Sequence, residues 1–239
     1  MNASDLAVAR KTYADTPPPP RPTPWREASW RAVDLELTGL RPNRDEIIAI
    51  AAVSVTGGRV MLADALYRLV RPRHMPGPET IRIHGLREAD LAKAPPLDAV
   101  LDEVLETLAG RALVAHAAHV ERGFLSAALR ARGVELNNPV VDTGMLAAEL
   151  WGLDRSLPGS PPRGLSDLAR TLNLPVHRPH HADGDALTTA QTFLALATKL
   201  ERFGAVTVGV LEEVSRPPTL LSRLRRRLRR RPLLAASAN

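Results

Sequence analysis

The chain has no cysteine, and only 3% of its 239 residues are aromatic. The first absence excludes disulfides and thiolate metal sites, and it fits a reducing, cytoplasmic setting. No run of eighteen apolar residues occurs. Stable membrane insertion is therefore not expected, and the N-terminus lacks the charged-then-apolar pattern of a secretory signal. Acid is missing locally too: residues 216–231 hold eight arginines and no Asp or Glu. The whole chain carries +6, so setting aside that +8 leaves the other residues at −2. The body is nearly neutral and the cationic field sits on a tail.

What is present reads as one domain with extensions. With 44% hydrophobic and 24% charged residues, the length suits a single globular core plus extra segments. Six of the eight residues from Pro17 to Pro24 are proline, which favours extended backbone, so residues 1–29 are expected to form a flexible arm. Trp25 and Trp30 mark where that arm would dock. Val33, Leu35 and Leu37 alternate with Asp34 and Glu36, the period of a strand. Ile47 to Val55 and Val60 to Val70 read as two more strands around a Thr56-Gly57-Gly58 turn, giving an antiparallel meander. Beyond it, Leu97 to Leu108 has helical spacing, Ala112 to Ala115 is a short strand and Phe124 to Leu129 is helical. Val140-Val141 is a brief strand before a helix from Met145 to Leu150. Leu165 to Leu172 and Ala186 to Leu200 read as further helices. This order predicts an α/β, ribonuclease-H-like fold: a mixed central sheet, with a three-strand meander plus parallel strands, flanked by helices. The domain is placed at 30–204, with a helical extension and Arg-rich tail over 205–239.

The chemistry begins at Asp34 and Glu36. Residues i and i+2 of a strand share a face, so the two carboxylates project together, as hard divalent cations require. Alone, the pair reads more readily as the charged outer face of a half-exposed strand. Its context is more specific. Asp34-Leu35-Glu36-Leu37-Thr38-Gly39 and His180-His181-Ala182-Asp183-Gly184-Asp185-Ala186 resemble the first and third motifs of the DEDD exonuclease superfamily. The likeness is to its histidine-bearing branch, which includes the proofreading epsilon subunit of bacterial replicative polymerase. Ile83-His84-Gly85-Leu86 and Val141-Asp142-Thr143 resemble that family's loop after the third strand and its strand-to-helix junction. The stretch from Leu113 to Leu125 is similar to its second motif but departs at three positions. Ala117 stands for the usual asparagine, Val120 for phenylalanine and Glu121 for aspartate. The likeness spans about residues 31–203.

The resemblance implies a 3′–5′ exonuclease using two Mg2+ or Mn2+ ions, held by Asp34, Glu36, Glu121 and Asp185. Asp34 would bridge both ions, Glu36 and Asp185 would hold one, and Glu121 the other. Four carboxylates gathered without metal should repel and take up protons more readily than usual. His180 is the implied general base, and His181 is its rival, since a helix starting at 181 would turn it toward Asp185. The implied substrate is a single-stranded 3′ end, DNA ahead of RNA, with a polymerase or a replication or repair protein as partner. Other classes remain in view: a weakened nuclease-fold binding module, or a polymerase-associated subunit. His84 and His116 read as structural, His74, His119 and His177 as surface residues, and Asp142 as a helix cap or a site residue. In the tail, Leu221, Leu224 and Leu228 would share one side of a helix. Polyanion binding is the favoured reading there, over a solvated tail or a basic helix on acidic lipid.

Overall fold

The computed structural model describes residues 3–216, with side chains from Val8 onward. Five strands form one sheet: β1 (Trp30–Leu37), β2 (Ile47–Thr56), β3 (Arg59–Leu69), β4 (Ala112–Ala115) and β5 (Val140–Asp142). Their order is β3-β2-β1-β4-β5. The pairs β1–β2 and β2–β3 are antiparallel, whereas β1–β4 and β4–β5 are parallel. The expected meander and the added parallel strands are both there.

Nine helices accompany the sheet among the described residues. They are α1 (Ala3–Asp15), α2 (Pro78–His84), α3 (Glu88–Leu91), α4 (Leu97–Leu108), α5 (His119–Arg130), α6 (Thr143–Leu153), α7 (Leu165–Thr171), α8 (Ala182–Glu201) and α9 (Val208–Ser215). Strand alternation divides the core in two. Val33, Leu35 and Leu37 pack with Leu101, Leu105 and Phe124 from α4 and α5. Ala32, Ala49 and Ala51 face the other way, against Ala186, Ala190 and Phe193 of α8. Asp34 and Glu36 therefore lie on the α8 face of β1.

The outer strand β3 is guarded. Between Ala52 and Ser54 of β2, the β3 partners jump from Leu66 to Met61, so residues 62–65 bulge out of the ladder. Asp64 in that bulge accepts from Ser54 Oγ at 2.7 Å and from the buried Arg31 guanidinium at 2.9 Å. A bulge at an edge obstructs pairing with another chain.

The flexible arm expected over residues 1–29 is corrected here. Residues Ala3–Asp15 form α1, which packs on α4, burying Ala9 and Tyr13. Tyr13 Oη donates to Asn138 Oδ1 at 2.5 Å, a contact 125 residues apart in sequence. The proline stretch is not a free spacer either. Prolines donate no N–H, but the carbonyls of this segment accept: Val208 N–H bonds to Thr23 O and Gly209 N–H to Arg21 O. Trp25 and Trp30 then bury against Phe193, at ring separations of 5.7 and 4.7 Å. At the other end, α9 occupies the start of the expected extension. The arginine-rich stretch beyond Arg216 lies outside the described residues.

Candidate metal and nuclease site

Asp34 and Glu36 stand opposite Ala51 and Ala49 of β2, whose small side chains leave room above the sheet. The ladder slips between Glu36 and Leu37, a bulge that ends regular pairing beside the site. Into that space α8 brings Asp185 from its first turn. One carboxylate oxygen each from Asp34, Glu36 and Asp185 lie within 4.8 Å of one another. Two segments about 150 residues apart thus meet in one acidic group.

Electrostatics reflects the crowding. Burial, with the charges of Glu121, Asp185 and Glu36, holds the Asp34 carboxyl well above its usual range. Burial and Asp185 push Glu36 up to about 7. Asp185 is also raised by burial, against the pull of the His180 N–H and of the neighbouring histidines. Each of these carboxyls keeps its proton more strongly because water is excluded, and at Asp34 and Glu36 like charges add to the effect.

Glu121 is placed differently. It lies in the first turn of α5, only 8% exposed, and is not one of the three converging carboxylates. Its charge still bears on Asp34. Burial first, and Asp142 after it, push Glu121 up to about 8. Its Oε2 is buried and accepts no hydrogen bond. Among the described residues none of the four carboxylates forms an ion pair within 4 Å. Unpaired carboxylates gathered below the surface, one with an orphaned oxygen, are a donor set suited to hard divalent cations.

The two histidines part company. His180 lies on the exposed loop before α8, with φ 60°, and its backbone N–H donates to Asp185 Oδ2 at 2.9 Å. His181 is the N-cap residue of α8, half-buried, and its charge falls on His84. The loop is held close by Gly184. A Cβ there would overlap His177 O and come 2.7 Å from Arg178 O. A glycine is required for that approach.

Asp142 is a cap, and a double one. Its Oδ1 accepts from Gly144 and Met145 N–H at the start of α6, and its Oδ2 accepts from Ala118 N–H at the start of α5. Its own N–H donates to Ser215 Oγ of α9 at 2.9 Å. The α6 cap was foreseeable from Asp142-Thr143, whereas nothing in the spacing announces the α5 bond or Ser215. His116 joins this region, with Nδ1 2.9 Å from Thr143 Oγ1 and Nε2 2.8 Å from Arg163 O. His84 accepts from Leu86 N–H through Nδ1. Both are structural, as expected.

Comparison with known proteins agrees with this architecture. The exonuclease family model (RNase_T) matches residues 32–193. The chain belongs to this exonuclease family. A DNA polymerase III subunit epsilon-like protein of Rhodobacter capsulatus is 34% identical over 204 residues, covering 83% of this chain and 28% of its own length. The 3′-5′ exonuclease DinG of Bacillus subtilis is 30% identical over 185 residues, covering 77% of this chain and 19% of its own. The chain thus spans less than a third of the length of these curated relatives. Exonuclease X, solved in complex with 5′ overhanging duplex DNA, superposes with a TM-score of 0.62 at 25% identity. That match covers 78% of this chain and 99% of the other. No helix among the described residues is long and apolar enough to cross a membrane.

Proposed function

We propose that this chain is a divalent-metal-dependent 3′–5′ exonuclease acting on the 3′ end of a DNA strand. The observation that carries the reading is the convergence of Asp34, Glu36 and Asp185, none of them in an ion pair within 4 Å among the described residues, joined through charge by Glu121. Asp34, Glu36 and Asp185 would hold one or both metal ions, and Glu121 would complete the second ion's ligands. Mg2+ or Mn2+ suits oxygen donors of this kind, and bound ions stabilise the attacking and leaving oxygens of a phosphodiester during displacement.

The protein's own groups supply the rest. His180 sits on the solvent side, where water and the strand end arrive, and its backbone N–H ties the loop to Asp185. Its ring takes a proton from the attacking water as the new P–O bond forms and the P–O3′ bond breaks. A terminal nucleotide carrying a 5′ phosphate leaves, and the O3′ freed on the shortened strand takes up a proton from water to become its 3′ hydroxyl. An imidazole suits the task because it titrates near neutrality. His181 is the weaker candidate, being half-buried at the helix cap. DNA is favoured over RNA by the DNA bound in the Exonuclease X complex and by the polymerase III relative, which also favours a polymerase or a replication or repair protein as partner.

The test uses 3′- and 5′-labelled DNA and RNA oligonucleotides with Mg2+, Mn2+ or chelator. Stepwise loss from the 3′ end of DNA, abolished by chelator, is expected. His180→Ala should slow it by roughly 10²- to 10⁴-fold, the usual contribution of a general base. His181→Ala should stay near the parent rate. The reverse order, or metal-independent cleavage, refutes the assignment.

A further inference from the structure

Asp34, Glu36 and Asp185 are placed by β1 and α8, two elements packed directly on each other. Glu121 is placed at one remove, and its support starts in α9. Among the described residues β5 is the last strand in the sheet order. Its final residue, Asp142, pairs with Ala115 of β4, and its N–H donates outward to Ser215 Oγ of α9 at 2.9 Å. The Ser215 hydroxyl itself donates to Leu211 O, one turn back in its own helix, at 3.0 Å. A hydroxyl whose hydrogen is already directed into its helix offers only lone pairs, so Asp142 meets a fixed acceptor.

Asp142 passes that position on to α5. Its Oδ2 accepts Ala118 N–H at 2.8 Å, while its Oδ1 holds Gly144 and Met145 of α6. Ala118 is the N-cap residue of α5 and has no side chain with which to cap the helix itself. Glu121 follows three residues later, in the first turn, and the charge of Asp142 reaches it. The path from α9 to the Glu121 helix is thus two hydrogen bonds long, Ser215 to Asp142 and Asp142 to Ala118. The far end of α9 is anchored by the proline segment. Val208 and Gly209 N–H donate to Thr23 O and Arg21 O at 3.0 and 2.8 Å. The Arg21 guanidinium donates to Gly209 O at 3.2 Å and pairs with Glu212. A Cβ on Gly209 would come 2.9 Å from Arg21 Cβ and Arg21 O, so helix and segment touch backbone to backbone. α9 also packs on α6 and β5, which leaves Ser215 on a braced helix.

We propose that Ser215 is a positioning residue for metal binding at Glu121, acting through Asp142 on the start of α5 from a helix braced against residues 21–24. The proposal rests on the nuclease reading above. It gives the proline segment and α9 a part in the chemistry, although neither supplies a carboxylate to it. Mg2+ holds oxygen ligands at about 2.0–2.1 Å in near-octahedral geometry, so a small drift of the α5 start weakens the ion that Glu121 holds. The ion held by Glu36 and Asp185 does not depend on α5, and its affinity stays as it was. Groups that orient a metal ligand without touching the metal typically contribute about 10- to 100-fold in affinity.

The experiment uses the full chain and three variants, Ser215→Ala, Ser215→Thr and Ser215→Val. Threonine and valine have nearly the same shape, and only threonine keeps the hydroxyl. Binding of Mn2+ alone is measured by isothermal titration calorimetry, with no nucleic acid present. The parent should bind two ions. The alanine and valine variants should bind one of them as the parent does and the other roughly 10- to 100-fold more weakly, while the threonine variant follows the parent. Hydrogen exchange is then compared in the metal-free proteins. Amides 118–122 should exchange several-fold faster in the alanine and valine variants, and amides 182–190 of α8 at the parent rate. Variants that bind both ions as tightly as the parent overturn the proposal, as does equal weakening of the two ions, which would be general loosening. A threonine variant no better than valine overturns it, and so does unchanged exchange at 118–122. A parent that binds no Mn2+ overturns both this proposal and the nuclease reading. A parent that binds two ions yet shortens no 3′ end overturns the nuclease reading alone.

Discussion

The two sides of the site reach the same end by different means. On the β1–α8 side the family motifs are complete, and three carboxylates converge within 4.8 Å. Support there is backbone packed on backbone, with Gly184 pressed against the 177–178 carbonyls. On the β4–α5 side the motif is altered, and the carboxylate is a glutamate buried in a helix start. Support there comes from the Asp142 side chain, which ties α5, α6 and, through Ser215, α9 into one corner. Both sides place left-handed residues next to the chemistry: His180 at φ 60° on one, Ala117 at φ 59° on the other. The comparison teaches that the carboxylate positions are set by how each segment is held, and that the two supports should fail differently.

The largest effect is expected on the intact side. Asp34→Asn or Asp185→Asn should reduce cleavage to background, because each removes a charge from the group that gathers the metal. Folding should survive, and thermal stability in chelator should hold or rise, since the change relieves repulsion. Near-parent activity in either protein would dissolve the distinction between the sides. Next comes Gly184→Ala. Its Cβ displaces the loop carrying His180, and a shift of 1 Å at a reacting group can cost about 10²-fold in rate. A crystal structure of the variant with an unmoved loop and a normal kcat would show that the close approach is incidental.

On the altered side, Glu121→Gln should slow turnover more than Glu121→Asp, with the aspartate variant still below the parent by about tenfold. Aspartate is one methylene shorter, so the substitution withdraws the carboxylate oxygen. A metal titration of the three proteins decides the point. An aspartate variant faster than the parent would mark this half of the site as decayed.

Proton linkage sharpens the same contrast. Folded Glu121 keeps its proton up to about 8 and Glu36 up to about 7, whereas an unfolded glutamate loses it near 4.3. Between those values the folded state binds more protons, so the stability of the metal-free protein falls as pH rises. The contribution is complete below about pH 4.3 and gone above about 8. Thermal melts in chelator should decline over that interval, and Glu121→Gln should flatten the upper part of it. A flat parent profile would show that these carboxyls are solvated in solution.

Much of this was legible beforehand, for identifiable reasons. A period of two put Asp34 and Glu36 on one face without any tertiary knowledge, and the resemblance to the family's third motif implied that Asp185 joins them. What escaped depends on contacts between distant residues. Helix α1 is weakly amphipathic and is fixed by Ala9, Tyr13 and a bond to Asn138 across the whole domain. The proline stretch suggested a spacer because its missing donors are visible in sequence, while its useful carbonyls are not. Asp142 announced one helix cap, yet its second cap and its tie to Ser215 exist only once β4, β5 and α9 are side by side. The altered second motif likewise showed which residues had changed at 117, 120 and 121, but not the backbone geometry beneath them.

That geometry yields the smallest and cleanest prediction. Ala117 sits at φ 59° just before α5, in a conformation that costs an L-residue with a Cβ about 1–2 kcal/mol. It is exposed, so strain rather than packing should dominate any substitution. Glycine removes the clash but gives the unfolded chain more freedom, which returns part of the gain. Ala117→Gly should therefore stabilise the protein by roughly 0.5–1 kcal/mol. Ala117→Asn should stabilise it somewhat less, since asparagine tolerates this region without glycine's extra freedom. Urea titrations at one pH in chelator measure both. Neither substitution touches a carboxylate, so cleavage rates at saturating metal should stay within about twofold of the parent. Destabilisation by glycine would mean that Ala117 is not left-handed in solution, and the start of α5, with Glu121 on it, would then be held in another way.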